Sequence, residues 1–299
     1  MYAGWYQAAF EHELHPGLTP VDLGPARIVL ARTPDGLRAA DAACPHRGAH
    51  LGHGGQLDGS AIVCPFHGKR IGIGEQAPGR YRVREHAVLG YGGLVFAGWE
   101  TGDGGPFAEL LDKLAVTHLF LPGFTLPARV RADLVIENAF DGTHFRPVHG
   151  IGEDPGLTLV PGDRDSITAR GVFVLPKSEW QRGGEKSVAV PFEATAYSPH
   201  VVVSRMGGDY PYVAITAATP RREGGCVIRF SLAVPLSAHE AMPAQRSEEL
   251  YRYLLERSRA GVEQDLPIWE NLIDVEPDYD NADRTVLAFR RFRDQFRSA

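Results

Sequence analysis

Two short segments set a cysteine beside a histidine. Cys44-Pro-His46-Arg47-Gly48 is followed, after seventeen residues between His46 and Cys64, by Cys64-Pro-Phe-His67-Gly68. Two thiolates and two imidazoles make the donor set of one tetrahedral zinc, or of one [2Fe–2S] centre in which one iron takes both sulfurs and the other both nitrogens. Two features favour iron–sulfur. Each loop supplies one ligand of each type, and the loops carry Gly48, Gly52, Gly54, Gly55 and Gly68, which let backbone N–H groups approach bridging sulfides. The plain alternative is two ordinary cysteines near surface histidines. The third cysteine, Cys226, follows Gly224-Gly225 and reads as a buried small hydrophobe. His50 and His53 read as loop histidines.

A second constellation runs from Glu137 through Asn138, Asp141, His144 and Pro147 to His149. The i, i+3 spacing predicts that Asp141 and His144 share a helix face. His149 is five residues on, so Pro147 is expected to end or kink the helix and let His149 fold back. A carboxylate to join the two imidazoles is offered by Asp265. It falls on an apolar helical stripe of Leu250, Leu254, Gly261/Val262, Trp269 and Leu272, where an unpaired charge is costly. Pro267 is expected to disturb that helix and aim the carboxylate. Two histidines and one carboxylate form the facial triad of non-haem Fe(II), with positions open for O2. Taken alone, an Asp-x-x-His-x4-His segment is weak, and a buried Asp also pairs with Arg.

The elements that must position these groups fall into two parts. Short strand-like runs fill the first hundred residues: Arg27–Arg32, Ser60–Cys64, and a hairpin across 81–98. The polar, Gly-rich stretch Glu100–Pro106 is the expected boundary, giving domains 1–105 and 106–299. Beyond it, Phe107–Leu114 reads as a short helix and Asp133–His144 as the opening of another. β-branched runs from Leu157 to Leu236, punctuated by Gly183-Gly184, Gly207-Gly208 and Gly224-Gly225, predict an antiparallel meander, and Ala241–Leu272 a long helix. This is an α+β chain with helix packed on sheet. With 31 Lys and Arg against 37 Asp and Glu, the net charge of −6 leaves no electrostatic footprint for nucleic acid. Three cysteines exclude a disulfide framework and fit a reducing, cytoplasmic setting. No apolar run reaches the roughly 18 residues of a membrane anchor, and no secretory signal is expected.

On these motifs, and on Glu263-Gln-Asp265-x-x-Ile-Trp-Glu-Asn271, the sequence resembles the terminal oxygenase (alpha) subunits of Rieske non-haem iron oxygenases over nearly its whole length. The resemblance implies an N-terminal all-β Rieske domain and a helix-grip (START-like) catalytic domain. Cys44, His46, Cys64 and His67 would hold the cluster; His144, His149 and Asp265 the mononuclear iron. Asp141 would match the aspartate that connects the cluster of one subunit to the iron of the next, in a head-to-tail homotrimer. Asn138 would match the asparagine near the iron. Electrons would come from NAD(P)H through a separate flavin reductase, with or without a ferredoxin, since this chain has no nucleotide-binding fingerprint. The short Asn138–Asp141 spacing resembles the monooxygenase and demethylase branches, and the Glu137–Phe145, Gln264–Asn271 and Phe289–Phe296 stretches are similar to ketosteroid hydroxylases and cholesterol desaturases. That points to monooxygenation (hydroxylation, dealkylation or desaturation) of an apolar, polycyclic or steroid-like molecule, with aromatic-ring cis-dihydroxylation as the alternative. Phe140, Phe145, Tyr197, His200, Met206 and Tyr210 are candidate pocket residues, each also explicable as core packing. Lys69 stands where the family usually has Trp, and the segment after it is short, so the donor-docking surface is where the sequence departs most. A bare Rieske electron carrier would not need the second domain, and a pocket protein without catalysis would not need the whole triad.

Overall fold

The computed structural model describes residues 1–162, 165–180 and 186–298. Eleven strands come first: β1 (Gly4–Phe10), β2 (Leu18–Leu23), β3 (Ala26–Thr33), β4 (Gly36–Asp41), β5 (Gln56–Asp58), β6 (Ala61–Val63), β7 (Arg70–Ile73), β8 (Tyr81–Val83), β9 (Glu85–His86), β10 (Val88–Tyr91) and β11 (Leu94–Trp99). They form three small sheets, in the orders β2-β3-β4-β9, β5-β6-β7-β8 and β1-β11-β10. The hairpin predicted over 81–98 forms only in its second half. Gly92 and Gly93, both at positive φ, turn β10 into β11, and a Cβ on Gly92 would collide with Phe120. Tyr81–His86 instead feeds the other two sheets. Val83 is buried with the core beneath Cys44 and Cys64, whereas His86 bonds Asp41 at 2.8 Å and stacks on Trp99.

After a run without regular structure, Pro106 occupies the first turn of α1 (Pro106–Thr117), where its missing N–H costs nothing. Then follow β12 (His118–Ala128), α2 (Ala132–Glu137), α3 (Phe145–His149), β13 (Thr158–Val160), β14 (Ile167–Pro176), β15 (Ser187–Ser198), β16 (Val201–Met206), β17 (Tyr212–Pro220), β18 (Cys226–Pro235), α4 (Leu236–Glu240), α5 (Ala244–Trp269) and α6 (Arg284–Asp294). The meander is present: β13 to β18 lie in chain order and β12 closes the far edge against β18, all antiparallel. Gly183-Gly184 lies outside the described residues. The strand period of two splits the sheet into two buried faces. Val202 packs toward α2, α5 and α6, while its neighbours Val201 and Val203 pack toward α1 and the β10–β11 hairpin. Strand β1 is buried along its whole length and ties the first part to the sheet, Ser198 and Thr219 donating to the Trp5 and Gln7 carbonyls.

The predicted helix over Asp133–His144 is corrected. α2 stops at Glu137, a 3-10 turn covers Asn138–Phe140, and the chain is extended at Asp141 (φ −95°, ψ 101°). The Asp141 carboxylate accepts from the Thr143 N–H and hydroxyl, so a side chain competes with the helix ladder and Asp141 and His144 share a turn rather than a helix face. Pro147 does not kink a helix either, since it sits in the first turn of α3, where no N–H partner is needed. α5 runs through Pro267 to Trp269, and Leu272 lies beyond the helix, exposed, rather than on its buried stripe.

His200 lies in the β15–β16 turn, 3% exposed, its ring stacked 4.2 Å from that of Tyr6. Burial pushes its pKa down to about 3. The unfolded chain, titrating near 6.5, therefore binds a proton that the fold excludes. The stability His200 permits is complete above about pH 6.5 and declines as pH falls, by about 2 kcal/mol at pH 5. Urea denaturation at pH 7.5 and 5.0 should show this loss, and His200→Phe, which keeps the stack, should remove it. An unchanged pH dependence in the variant would refute the assignment.

Candidate metal centres

The two Cys-His segments fold into the same five-residue turn. Gly48 N donates to Cys44 O at 2.8 Å and Gly68 N to Cys64 O at 3.0 Å; Cys44 N donates to Ala49 O and Cys64 N to Lys69 O, both at 2.8 Å. Each turn closes through a left-handed glycine (Gly48 φ 73°, Gly68 φ 61°), a conformation that a Cβ would strain. Both cysteines are buried, with their thiols within hydrogen-bonding reach of each other, and burial pushes the Cys44 thiol up. The His46 and His67 rings meet edge to face at 4.8 Å on the rim. The Nδ1 of His46 is buried and has no hydrogen-bond partner among the described residues. A buried ring nitrogen is rarely left so, and a metal facing it would satisfy it. These donors fit a [2Fe–2S] cluster. His50 lies off the two cysteine turns, its ring 4.3 Å from that of His53: its Nδ1 accepts from Gly52 N at 3.1 Å, and burial, with help from Arg27, pushes it down to about 4. Cys226 is fully buried, its thiol pushed up to about 12 by burial.

The second group assembles from α3, the turn before it and α5. Ligand atoms of His144, His149 and Asp265 lie within 4.8 Å of one another. The Nδ1 of His144 is 2.7 Å from the Asp141 carbonyl, and that of His149 is 2.9 Å from Gln264 Oε1. Each Nδ1–H is thus spent on an outer partner, leaving each Nε2 as a lone-pair donor toward the carboxylate. His149 Nε2 stands 3.4 Å from Asp265 Oδ1, and Asn138 Nδ2 is 3.1 Å from both Asp265 Oδ2 and His144 Nε2. Burial pushes Asp265 up to about 6, although His149 and the Asn138 amide oppose it, and burial also pushes His144 down. A costly buried carboxylate beside two imidazoles is a cation site by its chemistry, and it fits Fe(II). Glu137, next to Asn138, forms a two-bond ion pair with Arg290 at 2.6 Å, locking α2 onto α6.

Gln264 carries no signal in the sequence beyond its place before Asp265. Gln264→Leu should leave the His149 Nδ1–H without its acceptor and weaken iron retention about 10- to 100-fold. Metal analysis after dialysis against graded chelator reads this directly, and wild-type retention would refute it.

A cavity of about 850 Å³ opens over this group, between the sheet and α5. Phe145, Phe173 and Phe192 stand edge to face along it, and Trp180, Tyr210 and Tyr253 cluster at another part of its wall. Of the six candidate pocket residues, Phe145, Met206 and Tyr210 border it. The other three are placed elsewhere. Phe140 is fully buried against Phe289; Tyr197 is on the opposite face of β15 from Phe192 and packs on Phe107; His200 lies under Tyr6. Sequence composition does not give strand parity or helix facing, so it does not separate these three from the pocket residues, and for the same reason it carries no signal for Phe173, Phe192 and Trp180.

Residues 4–82 match the Rieske [2Fe-2S] domain and residues 115–296 the 3-ketosteroid 9alpha-hydroxylase C-terminal domain. A cholesterol 7-desaturase of Bombyx mori is 24% identical over 99% of this chain and 69% of its own length. The oxygenase component of a 3-ketosteroid-9-alpha-monooxygenase of Rhodococcus rhodochrous is 23% identical over 91% of this chain and 74% of its own. The crystal structure of dicamba monooxygenase bound to 3,6-dichlorosalicylic acid shares the fold, with a TM-score of 0.75 at 18% identity over 98% of this chain and 96% of that one.

Proposed function

Because this chain belongs to the Rieske oxygenases that carry a 3-ketosteroid 9alpha-hydroxylase C-terminal domain, we propose that it monooxygenates a steroid-like or other polycyclic apolar molecule. The observation that carries this reading is the aromatic-walled cavity of about 850 Å³ set directly over His144, His149 and Asp265. That volume suits a ligand of several fused rings.

In this reading Cys44, His46, Cys64 and His67 hold the cluster, and His144, His149 and Asp265 hold the iron. When bound, the two centres supply single electrons and redox chemistry with O2. The chain's residues do the rest. Asp141 and Gln264 fix the two ring tautomers, and Asn138 holds the carboxylate with one amide hydrogen. Phe145, Phe173 and Phe192 exclude water and seat the rings of the substrate. Asp141, whose side chain is 31% exposed, is proposed to meet a neighbouring subunit's His46 or His67 in a head-to-tail homotrimer. Electrons come from NAD(P)H by way of a separate reductase, with or without a ferredoxin. Among the described residues no helix is long and apolar enough to cross a membrane. The two functional halves divide at Gly105–Pro106.

The test is isotopic. The holoprotein, with a reductase, NADH and 18O2, is given a 3-ketosteroid. One labelled oxygen per product is expected. Two would mean cis-dihydroxylation; a new double bond without label would mean desaturation, the reading favoured by the Bombyx mori relative. Reduction of the cluster with no product from any polycyclic tested would leave an electron carrier and overturn the proposal.

A further inference from the structure

The segment after α5 is built unlike the rest of the surface. Residues 271–278 are exposed without interruption. They set Leu272, Ile273 (81% exposed) and Val275 (69% exposed) among Asp274, Glu276 and Asp278. None of these acids has an ion pair among the described residues, and 270–283 contains no Lys or Arg. Large aliphatic side chains this exposed and this close together mark a contact surface.

The strap is fixed at both ends beside the proposed iron site. It leaves α5 at Glu270, five residues beyond Asp265, where Glu270 binds Arg129. It returns at Tyr279, whose ring lies 5.1 Å beneath the Arg290 guanidinium that also grips Glu137. Asn138 is the next residue, and Asp141 follows three later. Strap and Asp141 therefore flank the same iron site.

A surface of opposite charge surrounds the cluster turns. Residues 44–84 carry Arg47, Lys69, Arg70, Arg80, Arg82 and Arg84 against Asp58 and Glu75, a balance of +4 in a chain of −6. Arg47 lies over the ring of Phe66 at 5.6 Å, and Lys69 and Arg80 over that of Tyr81 at 5.9 and 5.5 Å. Those rings in turn touch His67 and His46, at 3.8 and 5.6 Å. None of the three cations has an ion pair among the described residues, and Phe66 is 60% exposed. Lys69, the departure from the family pattern, is thus part of a cationic, aromatic collar around the two rim histidines.

We infer that the acidic strap of one subunit docks on the collar of the next, with a second copy of this chain as its partner. The inference rests on the head-to-tail assembly proposed above and names the surfaces that make it. Opposite charge sets partner and register, while Phe66 and the strap aliphatics bury apolar area at the centre. Docking there brings His46 and His67 of one subunit to the side of the iron site from which Asp141 projects.

Sedimentation of the full-length holoprotein tests it. At low salt the wild type is expected at three times the chain mass, with association weakening as salt rises. The strap variant Asp274→Lys/Glu276→Lys/Asp278→Lys and the collar variant Lys69→Glu/Arg80→Glu should each weaken association by about 100-fold or more. The chain carrying all five changes should assemble again, because the complementarity is restored in reverse. Circular dichroism and the cluster's visible spectrum establish that each variant is folded. A strap variant that sediments as wild type, or a five-fold variant that stays dissociated while folded, overturns the inference. So does a collar variant that remains assembled yet no longer accepts electrons, which would assign the collar to an acidic donor protein. A wild type that turns over as a monomer overturns the head-to-tail reading itself.

Discussion

Asp265→Asn is expected to lose the mononuclear iron and at least about 1,000-fold in turnover, several kcal/mol of transition-state stabilisation, while the cluster spectrum stays as in the wild type. The replacement keeps the contact with Asn138, because an amide oxygen accepts the same hydrogen bond that Asp265 Oδ2 accepts now at 3.1 Å. What it removes is the charge. The same change should stabilise the metal-free protein. Burial raises the Asp265 carboxyl to about 6, above its value in an unfolded chain. A carboxyl raised in this way disfavours the fold whenever it is ionised. The cost is fully present above about pH 6 and disappears below about pH 4. At pH 8, metal-free Asp265→Asn should therefore be more stable than metal-free wild type by about 1–3 kcal/mol, and equal to it at pH 3.5. Iron content, turnover and denaturant midpoints at the two pH values measure all of this. A variant that keeps its iron, or an apoprotein destabilised at pH 8, would show that Asp265 is a structural carboxylate.

Asp141→Asn is the second large effect, and it separates electron delivery from metal binding. Asp141 Oδ1 accepts from Thr143 N at 3.0 Å and from its hydroxyl at 2.7 Å, and the Asp141 carbonyl holds His144. Asparagine retains an oxygen for the Thr143 bonds and the same carbonyl, so the turn and both metal centres should persist. What is lost is the negative charge, together with Oδ2 as an acceptor, which stands 3.8 Å from His144 Nδ1 on a side chain 31% exposed. Turnover should fall by about 100-fold or more, while iron content, cluster content and reduction of the cluster by its donor stay unchanged. In a single turnover, reoxidation of the pre-reduced cluster with substrate and O2 should slow by the same factor. Wild-type coupled turnover would remove Asp141 from the path between subunits. Loss of iron would make it a positioning residue for His144 alone.

The two cysteine turns were legible because each is local. Five consecutive residues, with a glycine closing the turn, fix where the thiol and the imidazole point, and nothing distant is needed. Asp265 was legible by contrast with its neighbours, as an ionisable group on an apolar stripe. The conformation around Asp141 is not legible in the sequence because a period of three is shared by a helix and by a side-chain-capped turn. Only the competition of the Asp141 carboxylate for the Thr143 N–H decides between them.

What the sequence determines by itself is therefore the chemistry: two soft-and-imidazole turns, two more histidines and a carboxylate, on a strand-rich first part followed by a meander and a long helix. The tertiary structure decides direction. Strand pairing sends Phe192 into the cavity and Tyr197 away from it, the packing of α6 on α2 places Arg290 on Glu137, and the end of α5 at Trp269 leaves Leu272, Ile273 and Val275 in solvent beside three acids. Residue identity is a local property, but the face a residue presents depends on register and on packing between segments far apart in the chain, which no window of sequence contains.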